Sequence, residues 1–420
     1  MTHRKRIARL SASRKLAAVT AVGVLIALTS CASSPSGNAG ASSSACDSIN
    51  LAAVNPSPVP ASLDPAVTVP PAASGLKLEA SQIGAQENIT EHWWNEVKIT
   101  AAQAKAICEK HLTAVYMDWD TVLYNQTVQN GARDVFKALG IKLLRVTNYS
   151  LNSDGLSGDL SAVLPLKPNI ILTGGPIDAK QLGPIMQPAI SQGAVLGVYG
   201  TGATTLKIGS GGQMPALLTW DCFLGGAELA DAVHARYPNG ANLGYIHYIN
   251  NVPAIYLREQ GFLDELKKYP NIHVIADGGP ANPQGSTGFN DPNAAQAYTE
   301  AFLIKHPTVN LLFAPWENPP ALGEEAAIKS LNRKIGIVTM DMGTQGASQI
   351  KAGGPITVEL VEDGYDVGRT EALATALDLL GGVKLYGYYA VPTFAVSNTA
   401  NLTTAWNFTH GPEFPCSKYC

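Results

Sequence analysis

The chain has 420 residues, 46% of them apolar and 15% charged, with 40 Gly and 27 Pro. That supplies two or three lobes with ample core and excludes a disordered chain, a coiled coil and a disulfide-stapled miniprotein. The net charge is −4, and once the six basic residues of the first 30 positions are set aside, 23 basic residues face 33 acidic ones, a balance of −10; such a body lacks the basic stripe that grips nucleic acid or an anionic membrane.

The N-terminus opens with Arg4, Lys5, Arg6, Arg9, Arg14 and Lys15. Leu16 to Leu28 is an apolar run of 13 residues, too short to cross about 30 Å of bilayer as a helix. It ends in Leu28-Thr29-Ser30-Cys31. This resembles the lipobox of bacterial lipoproteins, so residues 1–30 read as a signal peptide. The resemblance implies that Cys31 is lipidated and anchors the chain to the cell membrane, several acyl chains holding more firmly than one. Ser, Ala, Pro, Gly and Asn then dominate, with no Lys or Arg before Lys77. Residues 31–75 are expected to be a flexible tether with a reach of roughly 35–40 Å.

Residues 76–110 read as an N-terminal extension. Trp93-Trp94 predicts a segment packed onto the body, and Thr100-Ala-Ala-Gln103 reads as a capping box opening a helix to about Lys110. Five cysteines follow Cys31: Cys46, Cys108, Cys222, Cys416 and Cys420. Export permits disulfides, and the odd count leaves at least one thiol free. Cys416 and Cys420 are near in sequence, but Cys46 or Cys108 reaching the C-terminus is an equal alternative, so the connectivity stays open. There is no Cys-x-x-Cys and no close His pair, which argues against a metal site.

From Leu112 strand and helix alternate. Thr113–Met117 reads as a strand, and Val128, Ala132, Val135, Phe136 and Leu139 fall at helical spacing before Gly140. Lys142–Val146, Asn169–Leu172, Ala194–Tyr199 and Ala216–Trp220 read as strands, with helices at 181–192 and 224–237. Asn152-Ser153-Asp154-Gly155 reads as a turn. The pattern repeats, with strands near 243–248, 272–276, 310–314, 335–340 and 356–361 and helices near 255–268, 293–305, 320–331, 344–352 and 366–380. Buried apolar strands alternating with helices predict parallel sheets covered on both faces. Ten units are too many for one sheet, so the fold class is α/β, with two doubly wound lobes of about five strands each and a ligand cleft beyond the strands' carboxyl ends.

Several local patterns then coincide in order: Asn130-Gly131-Ala132 through Gly140, Lys167-Pro168-Asn169-Ile170-Ile171, Ala189-Ile190 through Val195, Asp221 through Gly225-Gly226, Arg258-Glu259-Gln260-Gly261-Phe262, His306-Pro307 with Leu311–Ala314, Ala321-Leu322-Gly323, and Val338-Thr339-Met340-Asp341. Together residues 112 to 395 resemble the type I periplasmic sugar-binding proteins, the ribose-binding family. The resemblance implies two lobes joined by three crossovers near 219–222, 361–364 and 390–394. It divides the chain into an N-terminal lobe of 111–220 plus 362–391 and a C-terminal lobe of 221–361 plus 392–420. It also implies a monomeric receptor without cofactor, which closes on a small ligand and docks on the permease and ATPase of an ABC transporter.

Carried over by position, Arg258 stands where the family has a donor to sugar hydroxyls, and Asp341 where it has an acceptor from two of them. The chain departs elsewhere: the family's Asp-Arg pair falls at Gly200-Thr201, its Asn near Trp316 or Glu317, its hinge Gln at about Glu362, and its Phe-Phe pair at Tyr124-Asn125. The loops after the strands carry Asp118, Trp119, Asp120, Tyr124, Trp316, Glu317 and Asp341. Flat rings cover apolar sugar faces and carboxylates accept from hydroxyl pairs, so these residues with Arg258 and Glu362 form the expected ligand set, and Trp220 is a further candidate platform. The acid excess points to a neutral polyhydroxylated or a cationic ligand.

No Gly-x-Ser-x-Gly and no His-Glu-x-x-His is present, so an enzyme is not expected. Asp118 and Asp120 as a hydrolytic carboxylate pair and Gly200-Thr-Gly202 as a dinucleotide turn are the weaker alternatives. A sensor of the same fold, signalling through a membrane partner, and a binder of an amino acid or cation remain open.

Overall fold

The computed structural model describes residues 45–63, 91–150, 153–174, 179–200, 205–246, 253–278 and 292–420. The signal peptide, Cys31, the tether on either side of 45–63, the extension up to residue 90 and Thr201-Gly202 lie outside the described residues.

In chain order the first half contains β1 (Glu91–Trp93), α1 (Ala101–Cys108), β2 (Thr113–Asp118), α2 (Leu123–Ala138), β3 (Lys142–Asn148), α3 (Ser153–Val163), β4 (Ile170–Gly174), α4 (Ala179–Ser191), β5 (Val195–Tyr199) and β6 (Ala216–Trp220). The second half contains α5 (Cys222–Arg236), β7 (Ala241–Ile246), α6 (Pro253–Leu266), β8 (Ile272–Gly278), α7 (Pro292–Lys305), β9 (Leu311–Phe313), α8 (Leu322–Ser330), β10 (Gly336–Met340), α9 (Thr344–Ala352) and β11 (Ile356–Glu362). The chain then returns through α10 (Gly364–Leu380), β12 (Gly387–Val391), β13 (Thr393–Val396), α11 (Thr399–His410) and α12 (Cys416–Tyr419).

Two sheets result. The first has seven parallel strands in the order β1-β12-β6-β5-β4-β2-β3. The second has six in the order β13-β11-β10-β9-β7-β8, with only β13 antiparallel. All five residues of β4 and of β6 are buried, as a sheet covered by helices on both faces requires. Three passages join the lobes, from β6 to α5, from β11 to α10 and from β12 to β13. Asp221 and Asp363 cap the helices after the first two, accepting from Leu224 N at 2.9 Å and Asp366 N at 3.0 Å.

Three expectations change, and one helix not anticipated is added. The sheets hold seven and six strands rather than about five, because β1 adds an edge and the last passage supplies β12 and β13. The turn read at 152–155 is helical from Ser153: Leu156, Leu160 and Val163 bury one face of α3, and that apolar stripe overrides the turn preference of Ser, Asp and Gly. The tail after β13 forms α11, with Leu402, Ala405 and Trp406 buried. The tether read through residue 75 contains a folded piece, since Val54, Pro56 and Leu63 are buried. The Thr100 capping box is present, and Trp94 is buried with its indole N–H donated to Asp366 Oδ2 at 3.0 Å.

Two disulfides close, Cys46–Cys108 and Cys416–Cys420, and Cys222 is a buried free thiol. Among the described residues, no helix is long and apolar enough to cross a membrane.

Candidate functional site

The carboxyl ends of the strands carry the candidate residues. Asp118 ends β2 and is buried. Its Oδ1 accepts from Trp119 N at 2.8 Å, Asn125 Nδ2 at 3.0 Å and the Tyr199 hydroxyl at 3.0 Å. Burial lifts its pKa to about 6 despite those three donors. Trp119 stands edge-on to Tyr199 at 6.0 Å between centroids, and Tyr124 lies 6.4 Å from the same ring. Trp119 sits against the Cα of Gly174, where a Cβ would approach its ring to 2.9 Å. The first lobe therefore presents three aromatic rings around one buried carboxyl. Asp120 is partly exposed and accepts from Thr121 N at 2.5 Å.

Arg258 is the centre of the second lobe's contribution. It projects from α6, is buried, and donates through Nη1 to Pro315 O at 2.7 Å and Asp341 Oδ2 at 3.0 Å. The Trp220 ring lies under its guanidinium, 4.6 Å from centroid to Cζ, a cation–π contact that supports a buried charge. Two glycines set its position. A Cβ on Gly226 of α5 would lie 2.1 Å from Arg258 O, and one on Gly261 of α6 would lie 1.9 Å from Phe223 O. Only glycine at both positions lets α5 and α6 touch backbone to backbone, which is the physical content of the Gly-Gly and Arg-x-x-Gly patterns in the sequence.

Asp341 follows β10 with φ +66°, a left-handed conformation that an Asp tolerates better than most residues. Glu362 ends β11 at the second passage and is buried. Burial, and then the neighbouring Asp341 carboxylate, push its carboxyl well above the usual range. Among the described residues, Arg258 Nε, Asp341 Oδ1 and Glu362 Oε2 are buried without a hydrogen-bond partner; the raised pKa of Glu362 keeps its carboxyl protonated near neutral pH, so it is a donor rather than a second acceptor. Tyr124 lies at the second passage. It packs on Gly364, whose Cβ would approach its ring to 3.0 Å. Its pKa is pushed well above the ordinary value by burial and by the Glu362 and Asp341 charges.

The structure thus gathers Asp118, Trp119 and Tyr124 on one side and Arg258, Asp341 and Glu362 on the other. Two further residues of the expected set, beside this second group, already have their polar atoms engaged by the protein. Both oxygens of Glu317 accept from backbone amides at the start of α9, Gly343 N and Gly346 N, the latter at 3.1 Å. Burial raises its pKa there, and Glu359 beside it is raised well above its usual value by burial and by the Glu317 charge. Glu317 is an anchor for a helix N-terminus rather than a free acceptor. Trp316 donates its indole N–H to Asn318 O at 2.8 Å and packs against the apolar cluster that includes Ala314 and Met342. Tyr199 and Asn125, which hold Asp118, are outside the expected ligand set; by sequence Asn125 is only half of the position of the family's Phe-Phe pair, and Tyr199 directly precedes the Gly200 position where the family pattern fails. Among the described residues, no group of three or more His, Cys, Asp or Glu side chains is arranged to hold a metal ion.

Comparison with known proteins agrees with this architecture. A family model described as periplasmic binding protein domain matches residues 114–382. No curated protein sequence matches significantly. Solved structures do match. An ABC transporter solute-binding protein from Agrobacterium vitis, bound with α-D-tagatopyranose, has a TM-score of 0.59 at 21% identity, over 72% of this chain and all of that one. One from Bacillus halodurans with bound myo-inositol has 0.57 at 13%, over 70% of this chain and 96% of its own. A carbohydrate transporter solute-binding protein from Agrobacterium radiobacter, in complex with D-arabinose, has 0.55 at 23%, over 70% and 96%. At these identities the structures speak for the fold, while the family model spans more than half the chain: the protein belongs to the periplasmic binding protein domain family, whose members work outside the cytoplasm.

Proposed function

We propose that the chain is the substrate-binding lipoprotein of an ABC importer and takes a sugar or polyol between its lobes. The observation that carries this reading is the pair of buried Arg258 with half-buried Asp341. It is backed by Trp220 and keeps Arg258 Nε and Asp341 Oδ1 unspent at the carboxyl ends of the second sheet. A preformed donor–acceptor pair of this kind suits adjacent hydroxyls, and the Trp119, Tyr124 and Tyr199 rings opposite suit the C–H face of a pyranose or the chain of a polyol. Sugars and polyols bound by the structural neighbours support the same class. Ligand bridging the lobes shifts the population toward a closed form, and that form docks on a membrane permease with its ATPase. Cys31 tethers the receptor.

A second reading has one observation in its favour. Among the described residues of the site, the carboxyls of Asp118, Asp120, Asp341 and Glu362 outnumber the one cation, Arg258. A cationic group between the lobes would draw the raised Asp118 and Glu362 carboxyls into their charged forms, which suits an amine-bearing ligand. A thermal-shift screen of the exported chain against pentoses, hexoses, hexitols, inositols, amino sugars and amino acids tests both. A ligand at 100 times its Kd adds about 2.7 kcal/mol. A shift with a neutral sugar or polyol supports the first reading; a shift confined to amines replaces it with the second.

A further inference from the structure

We propose that residues 45–63 form a strap that crosses from one lobe to the other beside the hinge and limits how far the lobes separate. It acts as a fourth connection in addition to the three covalent passages. Its first half is fixed to the first lobe in four ways. The Cys46–Cys108 disulfide joins it to the end of α1. Arg369 of α10, buried, donates to Ala52 O at 3.0 Å, to Ser57 Oγ at 3.0 Å and to Asn55 O. Asp366, one turn earlier, pairs with Arg369 at 2.8 Å and accepts from Ser57 N at 3.2 Å. Asn55 adds two hydrogen bonds to the Ile99 backbone, at 3.2 Å and 2.8 Å.

Its second half belongs to the other lobe. Val59 packs against both apolar clusters of the molecule. Leu63 is 2% exposed and belongs to the cluster of Phe394, Val396, Leu402 and Ala405. It lines a hollow of about 270 Å³ with Glu228, Phe394, Val396 and Ala405. That hollow adjoins β13, the strand entered by the third passage. Glu228 of α5 holds the strand there, accepting from the Thr393 hydroxyl at 2.6 Å and Ala395 N at 2.9 Å. Leu63, seated on β13, lies six residues beyond Ser57, which is tied to α10. Six residues span at most roughly 20 Å when extended, and here part of that length is taken up by the turn in which Leu63 N donates to Pro60 O at 2.9 Å. Little slack is left, so lobe opening beyond a set angle must pull Leu63 from its seat and expose it.

This inference rests on the receptor reading only in requiring lobes that move, and its test needs no ligand. Spin labels at Lys142→Cys and Lys305→Cys, both exposed and one on each lobe, report the lobe separation in the exported chain by pulsed electron resonance. The expected result is a narrow distance distribution in the parent. With Leu63→Ala, and again with Val59→Ser, it broadens toward longer separations while the chain stays folded. A distribution unchanged in both variants overturns the strap, whatever the ligand screen shows. A loss of melting temperature without any change in distance also overturns it, since it marks Leu63 as packing alone.

Discussion

Asp118 and His410 show how single buried groups bias this fold in opposite directions. Asp118 has its pKa raised by burial from 3.8 to about 6. The folded state therefore holds a proton that the unfolded chain has already lost, and stability present below about pH 4 is lost as pH rises through 6, by up to about 3 kcal/mol. His410 is buried neutral, stacked on Trp406 at 3.9 Å with Nε2 3.2 Å from Met342 O. Burial lowers its pKa from 6.5 to about 4, so its contribution is present above 6.5 and lost as pH falls through 4, again about 3 kcal/mol. The two windows overlap with opposite signs, and variants separate them. Asp118→Asn keeps the acceptor for Tyr199 and Asn125 and is expected to raise stability at pH 7 by about 1–3 kcal/mol while weakening ligand binding. His410→Gln is expected to remove the stability loss between pH 6.5 and 4. Urea melts of each variant across pH 4–8 check both; unchanged slopes contradict the assignment.

At the scale of elements, the α5–α6 contact decides where Arg258 sits. With Gly261 a Cβ away from collision at 1.9 Å from Phe223 O, Gly261→Ala must push the helices apart. The expected cost is ~1–3 kcal/mol of stability, together with a loss of ligand affinity larger than that of an equally destabilising substitution far from the site. Melting and titration of the variant beside such a control measure the difference. The same scale shows what the sequence made legible. The helices from Val128 to Leu139 and from Thr100 were readable because periodicity and capping are local signals. So were the motifs at Gly225-Gly226 and Gly261, although their reason, backbone contact across helices, appears only in three dimensions. α3 was missed because its polar opening outweighs three apolar residues in a local reading. Glu317 looked like a ligand acceptor by loop position; nothing local says that the start of α9 lies across its carboxylate.

For the whole molecule, the hinge passages were anticipated through the family resemblance, whereas the strap was not. Its residues have the composition of a linker, and its partners Asp366 and Arg369 lie some three hundred positions away. The Cys46–Cys108 pairing was open for the same reason. That bond encloses a sequence separation of 62 residues, and the double variant Cys46→Ser/Cys108→Ser is expected to lose about 2–4 kcal/mol of stability, measured by denaturant titration. No loss would show that the strap's docking does not depend on it.

The central claim is that Arg258 and Asp341 hold a polyhydroxylated ligand between the lobes. Calorimetric titration of the sugar or polyol found by screening, into the parent chain and into Asp341→Asn, tests it most directly. Asn preserves size and one acceptor but gives up the charge that faces Arg258, and hydrogen bonds to charged groups contribute about 1.5–3 kcal/mol. The account predicts an affinity at least about tenfold weaker at a temperature where melting shows the variant still fully folded. Equal affinity in parent and variant would contradict it.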